Sequence, residues 1–225
     1  MNWKSKEIRE IGLEVEYFLL RKDEIMEPKK FGFLYDIMGF LVENRSWPAE
    51  RLEPIEMSLA LEEIRYNHRA EKFGMHLSNV PSMRCTGQFV DYMENTYHIS
   101  EFPDYTENIY SRNSLIEQKQ PVKQSHHTGV FLTHPEDEKP FTLTAGIHVH
   151  FSSRNKKTGE IIELPVKEIV QQMDETFKYD IAKSGRIKGE WEPKMEVHGF
   201  EYRSLPANTD IHRVLRQSFK ILRSV

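Results

Sequence analysis

The chain has 225 residues, which suits one domain, and its formal net charge of −4 provides no basic surface of the kind that binds nucleic acid. A single cysteine, Cys85, excludes an intramolecular disulfide framework and a cysteine-rich zinc site, which favours a cytoplasmic protein. There is no apolar run of membrane-spanning length and no apolar signal segment, so the sequence predicts no membrane partner.

The first predicted element is a strand over residues 11–20, with the sequence IGLEVEYFLL. At the two-residue period of a strand, Glu14 and Glu16 share one face, and that face turns apolar at Phe18 and Leu20. A solvated face is not expected to turn apolar after two residues, so we place both carboxylates at the mouth of a covered pocket. Carboxylates in such a place need a cation.

The second predicted strand covers residues 35–45, with the sequence YDIMGFLVENR and with Asp36 near its start. On a strand, Leu41, Glu43 and Arg45 lie on one side. Taken alone, this pattern favours a surface position for Glu43 over a ligand position.

A helix is predicted over residues 49–74, packed on the back of a sheet and ending at Gly74. Its predicted apolar stripe consists of Ile55, Leu59, Leu61 and Ile64. Residues 77–140 lack periodicity and are rich in proline and polar residues, so we expect an insertion with short elements of its own, or a lid. His126 and His127 within this segment are interpreted as ordinary loop histidines.

The next predicted strand is continuous over residues 141–152, with the sequence FTLTAGIHVHFS. Its alternation places His148 and His150 on the face opposite the hydrophobic side chains, roughly 6 to 7 Å apart. The two imidazoles can therefore serve one site. For an isolated His-x-His pair, a solvated polar face is an equally good interpretation.

An amphipathic helix is predicted over residues 166–183. Two glycines and two cations follow it in a short loop, namely Gly185, Arg186, Lys188 and Gly189. Backbone N–H groups and positive charge in such a loop suit phosphate binding. Surface solvation is the better interpretation of this loop without further context.

The last predicted elements are a strand over residues 198–206, HGFEYRSLP, and a helix over residues 211–225. Glu201 and Arg203 share one face of the strand. The order of strands and helices along the chain predicts an α+β fold with a mostly antiparallel sheet that is open to ligand on one face.

The predicted strand faces combine hard oxygen ligands with imidazole. The candidate metal ligands are Glu14, Glu16, Glu43, His148 and Glu201. This set favours Mg²⁺ or Mn²⁺ over zinc, and several carboxylates in one pocket repel each other unless more than one cation neutralises them. With Arg203 and the Arg186/Lys188 loop beside the metals, the site suits a polyphosphate and indicates phosphoryl transfer from a nucleotide.

The motifs GLEVE, GIHVHFS and FEYRSLP, in this order, resemble the carboxylate–amine ligases (amidoligases) of the glutamine synthetase and glutamate–cysteine ligase superfamily, most closely their small phage-type members. The resemblance implies a glutamine synthetase-like curved antiparallel sheet with helices on its outer face, in one catalytic domain over residues 1–225. It implies an ATP- and Mg²⁺- (or Mn²⁺-) dependent ligase. Small-molecule or peptide carboxylates and amines would be joined through an acyl-phosphate, giving an amide.

The same resemblance implies roles for individual residues. Glu14, Glu201 and His148 would hold one metal, while Glu16 and Glu43 would hold another, because residues 36–45 are similar to the acidic second strand of the family. The implied catalytic residues are Arg203, His150 and Glu43. The implied nucleotide contacts are Arg186, Lys188, His150 and Arg203. Small members of the family often carry an arginine just ahead of the His-x-His glycine, where this chain has Leu143.

Two other functions remain open from the residues. A metal-dependent hydrolase would use His148, His150 and a glutamate to activate water, and would need zinc but no nucleotide. A non-catalytic nucleotide- or peptide-binding protein would keep the same fold without turnover.

Overall fold

The computed structural model describes residues 7–36, 40–84, 124–125, 130–132, 141–184, 186, 188–194 and 199–225. In these ranges it contains a curled, antiparallel half-barrel sheet, a second small sheet and four α-helices, which confirms the predicted α+β class. The helices are α1 Leu52–Lys72, α2 Val166–Thr176, α3 Lys178–Ser184 and α4 Ile211–Ser224. No helix in the described ranges is both long enough and apolar enough to cross a membrane.

The strands fall into the two sheets. In chain order they are β1 Glu7–Arg21, β2 Glu24–Ile25, β3 Leu41–Arg45, β4 His76–Ser78, β5 Ser82–Arg84, β6 Gln124–Ser125, β7 Val130–Leu132, β8 Phe141–Thr144, β9 Gly146–Asn155, β10 Trp191–Lys194 and β11 Gly199–Pro206. The main sheet has the order β10-β11-β9-β1-β2, and β3 and β4 also pair with β1. The small sheet has the order β5-β8-β7-β6.

The long strand β1 lies at the centre of the main sheet and has two different faces. Ile11, Leu13 and Val15 are almost completely buried and belong to the core that α1, α2 and α4 complete. Glu14 and Glu16 point to the other face, as the period of two requires. Fully burying each large apolar side chain contributes about 1.5–3 kcal/mol, so the core face fixes which face of β1 carries the carboxylates.

The predicted continuous strand over residues 141–152 is wrong, because the chain changes sheet at Ala145. Strand β8 belongs to the small sheet and β9 to the main sheet. Ala145 N donates a hydrogen bond to Pro81 O, and Ala145 O accepts one from Ala207 N. Pro81 directly precedes β5 and Ala207 directly follows β11, so Ala145 bonds to the small sheet through its N–H and to the main sheet through its C=O. Within β9 the predicted face assignment is confirmed, since Ile147 and Val149 are buried in the core.

The predicted second strand over residues 35–45 is shorter than expected. Among its described residues only Leu41–Arg45 forms a strand, β3, and Tyr35 makes an isolated antiparallel bridge with Val42. Asp36 Oδ1 accepts hydrogen bonds from Phe40 N and Leu41 N at 2.7 and 2.8 Å. Alternation of apolar residues alone does not indicate these local bonds from an aspartate side chain to the backbone.

The predicted apolar stripe of α1 is half wrong. Ile55 and Leu59 are buried, whereas Leu61 and Ile64 are 57% and 66% exposed. The spacing explains the difference, because nine residues at about 100° per residue place Ile64 half a turn from Ile55. The predicted stop is confirmed, since the helix ends just before Gly74, which has a positive φ of 65°.

The remaining predicted elements occur with small changes. The helix over residues 166–183 is divided into α2 and α3 at Phe177, while the last strand and helix are β11 and α4. The edge strand β10 was not predicted, and Pro193 within it is compatible only with an edge. Cys85, His126, His127 and most of the predicted insertion lie outside the described residues.

Candidate functional site

Three neighbouring strands bring acidic and imidazole side chains together on the face of the main sheet opposite the core. In the β1–β9 pairing, Glu14 lies directly opposite His148, and in the β9–β11 pairing, His150 lies opposite Glu201. Directly opposite residues on one face of a sheet have Cβ atoms about 4.5–5.5 Å apart. The strand register therefore builds the part of the cluster that the described residues of β1, β9 and β11 form.

Glu14, His150 and Glu201 form a group that can hold a metal ion, which we call the metal triad. Each offers one ligand atom, and these atoms lie within 4.8 Å of one another. The resemblance instead assigned His148 to this metal and His150 to phosphate. His148 Nδ1 lies 2.7 Å from Glu201 Oε1 and 3.5 Å from Glu14 Oε2, so it adjoins the same carboxylates from a more buried position.

The ring of His150 supports binding of a cation at the metal triad. His150 Nε2 is buried and makes no well-aligned hydrogen bond, although Glu14 Oε1 lies 3.3 Å away. Buried polar atoms normally have a partner. Nitrogen and oxygen atoms this close, but not aligned with one another, have the arrangement of ligands directed at a common ion. The donor set, two carboxylates with an imidazole, fits Mg²⁺ or Mn²⁺.

The electrostatics of the cluster favour ionised carboxylates. Burial opposes ionisation of Glu14, but His148 and His150 hold its pKa well below the usual range. Burial also opposes ionisation of Glu201, and Arg203 and the histidines again lower the pKa. Burial and Arg203 disfavour the charged form of His148, yet the surrounding carboxylates outweigh both and raise its pKa to about 9.

The two further predicted ligands are Glu16, on the same strand as Glu14, and Glu43, on the neighbouring strand β3. They lie directly opposite each other in the β1–β3 pairing. Glu16 Oε2 accepts a hydrogen bond of 2.6 Å from Gly146 N. Glu43 Oε2 accepts one from Arg45 Nη2. Burial, followed by the charge of Glu14, raises the pKa of Glu43 to about 7 despite the nearby Arg45 guanidinium.

Sequence reasoning missed Arg45 as a member of the site. Its Nε lies 3.1 Å from Glu14 Oε1, so one guanidinium contacts both Glu14 and Glu43. The alternation within β3 already placed Arg45 on the same side as Glu43. The missing information was the β1–β3 register, which sets Arg45 opposite Glu14.

Two of the predicted phosphate-binding cations lie at the cluster. Arg203 Nη1 donates to Glu201 Oε1 at 3.1 Å and to Glu192 Oε2 at 2.9 Å. Arg186 Nη2 donates to Arg203 O at 2.8 Å, and its guanidinium fills the space beside Gly146, where an added Cβ would lie 2.9 Å from it.

The third predicted cation, Lys188, lies in a turn before β10. Burial raises the pKa of Asp174 on α2, and the charge of Lys188 opposes that shift. The neighbouring Gly185 lies outside the described residues.

Comparisons with protein-family models, with curated proteins and with solved structures found no match for this chain. Function must therefore be inferred from the residues of the site and from the resemblance of their motifs.

Asp36 gives a prediction about how the stability of the protein depends on pH. Burial raises its pKa from 3.8 to about 7, helped by neighbouring carboxylates and only partly offset by two backbone N–H donors. The folded state holds this proton more tightly than the unfolded chain does. Stability is therefore lost as the pH rises from about 4 to about 7, by at most about 4 kcal/mol, and no further above that range.

Asp36→Asn keeps the oxygen acceptor and removes the charge. We expect this variant to be more stable than the wild type at pH 8 by about 1–3 kcal/mol, with a smaller difference at pH 5. Urea denaturation at both pH values measures the effect. Asp36→Ala is the control. It leaves two buried backbone N–H groups without an acceptor, so it should destabilise the protein at both pH values. If the stability of the asparagine variant depends on pH as that of the wild type does, Asp36 is not the group with the raised pKa.

Proposed function

We propose that the protein is an ATP- and Mg²⁺- (or Mn²⁺-) dependent carboxylate–amine ligase that works in the cytoplasm, on a glutamine synthetase-like sheet. The observation that carries the proposal is the convergence of Glu14, His150 and Glu201 from three adjacent strands, with Arg203 hydrogen-bonded to the triad. These are the residues of the motifs that resemble the amidoligases. The helices cover the opposite face of the sheet.

In the proposed site the metal triad holds a divalent ion. When bound, the ion supplies neutralisation of phosphate charge and orientation of the phosphate oxygens. Glu14 and Glu201 suit this role because both are held ionised. His148 contacts Glu201 of the triad from a buried position, with 3% of its side chain exposed.

The proposed reaction has two steps. The γ-phosphoryl group of ATP moves to a substrate carboxylate oxygen, and ADP leaves with the electron pair of the broken P–O bond. The amine nitrogen then attacks the acyl carbon, the C–O bond to phosphate breaks with its electron pair on the phosphate, and the nitrogen gives up a proton. Glu43 suits acceptance of that proton because its pKa of about 7 is close to the operating pH.

The two arginines stabilise the charge that the phosphoryl group carries. Arg203 is held by Glu192 and Glu201, and Arg186 by the backbone of Arg203, so neither guanidinium needs to be reoriented during the reaction. Donors that are already in position stabilise developing charge most effectively. We place Arg203 on the transferred group and Arg186 behind it, beside Gly146.

Hydroxylamine tests this function without knowledge of the natural amine. The protein is incubated with ATP, Mg²⁺, hydroxylamine and a panel of amino acids and short peptides as carboxylates. A ligase of this type converts an acyl-phosphate to a hydroxamate, with one ADP for each hydroxamate, and the product disappears when Mg²⁺ is omitted. Binding of Mg²⁺–ATP without any product would support the non-catalytic binder. Zinc-dependent hydrolysis without ATP would support the hydrolase.

A further inference from the structure

The guanidinium of Arg45 occupies the region between the metal triad and the second pair of carboxylates. Arg45 contacts Glu14, a member of the triad, at 3.1 Å through Nε, and it contacts Glu43 through Nη2. The guanidinium thus touches one carboxylate from each of the two metal positions that the resemblance implies. Glu43 is nearly buried, with 6% of its side chain exposed.

Glu16, the other carboxylate of the second pair, also has donors within the protein. Its Oε2 accepts a hydrogen bond of 2.6 Å from Gly146 N, and its Oε1 lies 3.7 Å from His148 Nε2. Across the ranges that the structure describes, the metal triad is the only group of three or more suitable side chains at ligand spacing. Glu16 and Glu43 are not part of it.

We propose that Arg45 takes the place of a second divalent cation, so that the chain binds one ion on the metal triad and none on Glu16 and Glu43. The inference rests on the proposed metal site. Carboxylates that share a pocket need positive charge between them, and a guanidinium supplies it from within the chain. Its planar fork can bind two carboxylates at once, which the single ammonium of a lysine does less well.

The test counts bound Mn²⁺ in protein that was first stripped of metal, without nucleotide, by measuring free Mn²⁺ with electron paramagnetic resonance. We expect about one bound ion per chain for the wild type and about two for Arg45→Gln, because glutamine leaves the carboxylates uncompensated. Arg45→Lys retains the charge and should bind about one. Arg154→Gln is the matched control, since Arg154 is similarly exposed and contacts Glu10 across strands.

A wild-type protein that binds about two ions, or none, would overturn the proposal, and so would a folded Arg45→Gln variant that still binds about one. Circular dichroism establishes whether the variants fold. If Arg45→Gln does not fold, the numbers of Mn²⁺ ions bound by the wild type and by Arg45→Lys still test the proposal. The result is separate from ligase activity: one ion without hydroxamate formation rejects only the proposed function, and two ions with hydroxamate formation reject only the role of Arg45.

Discussion

Glu14→Gln is expected to weaken Mn²⁺ binding by about 100-fold or more and to abolish ATP-dependent product formation. Glu14 provides a ligand atom of the metal triad and lies against both His148 and His150. Its pKa is held well below the usual range, so the wild-type side chain is fully ionised at neutral pH. Glutamine keeps the volume and removes the charge that the ion needs. Isothermal titration with Mn²⁺ measures the loss of affinity.

The matched control for this change is Glu10→Gln. Glu10 lies on the same strand and the same face, four residues earlier, but it contacts Arg154 at the surface instead of the triad. Its replacement should leave Mn²⁺ affinity within about twofold of the wild type. Equal losses in the two variants, or no loss in Glu14→Gln, would remove Glu14 from the metal site.

Gly199→Ala should destabilise the protein by about 3 kcal/mol or more, which lowers the unfolding midpoint by about 6–12 °C. An added Cβ would lie 1.8 Å from Phe151 O and 2.9 Å from Phe151 C. Both atoms belong to the backbone of β9, so no side-chain rotation relieves the overlap. The β9–β11 pairing must open, and Glu201 and Arg203 move with β11. Urea denaturation measures the stability.

Gly12→Ala serves as the control for the glycine change. Gly12 also lies within the main sheet, in the β1–β9 pairing, but an added Cβ there meets its nearest atoms at 3.7 Å, an ordinary contact distance. We expect a change below about 1 kcal/mol. If Gly199→Ala is as stable as Gly12→Ala, the close approach of β11 to β9 is not as described here.

Local alternation was enough to predict the faces of the strands. Glu14 and Glu16 share a face with buried Phe18 and Leu20, and the hydrophobic side chains between them enter the core, as the period of two requires. The sequence also indicated that His148 and Glu14 belong to one site, because each lies on the polar face of an otherwise apolar strand.

Contacts between distant parts of the chain determine the two features that the sequence did not predict, the break at Ala145 and the position of Arg45. The break at Ala145 depends on hydrogen bonds to Pro81 and Ala207, which no local pattern encodes. The position of Arg45 depends on the register of β3 against β1, which sets Arg45 opposite Glu14. A strand pattern shows which face a residue takes, but only the pairing shows which residue lies opposite.

The most direct test of the central claim is thermal unfolding of the wild type with Mg²⁺ alone, with ATP alone and with both. A ligand that binds only the folded state raises its stability by mass action. A metal–nucleotide site built on the metal triad predicts a rise in the unfolding midpoint with Mg²⁺ alone, and a larger rise with Mg²⁺ and ATP together than with either one. No rise under any of these conditions, with a large rise on addition of zinc, would contradict the ligase and favour the hydrolase.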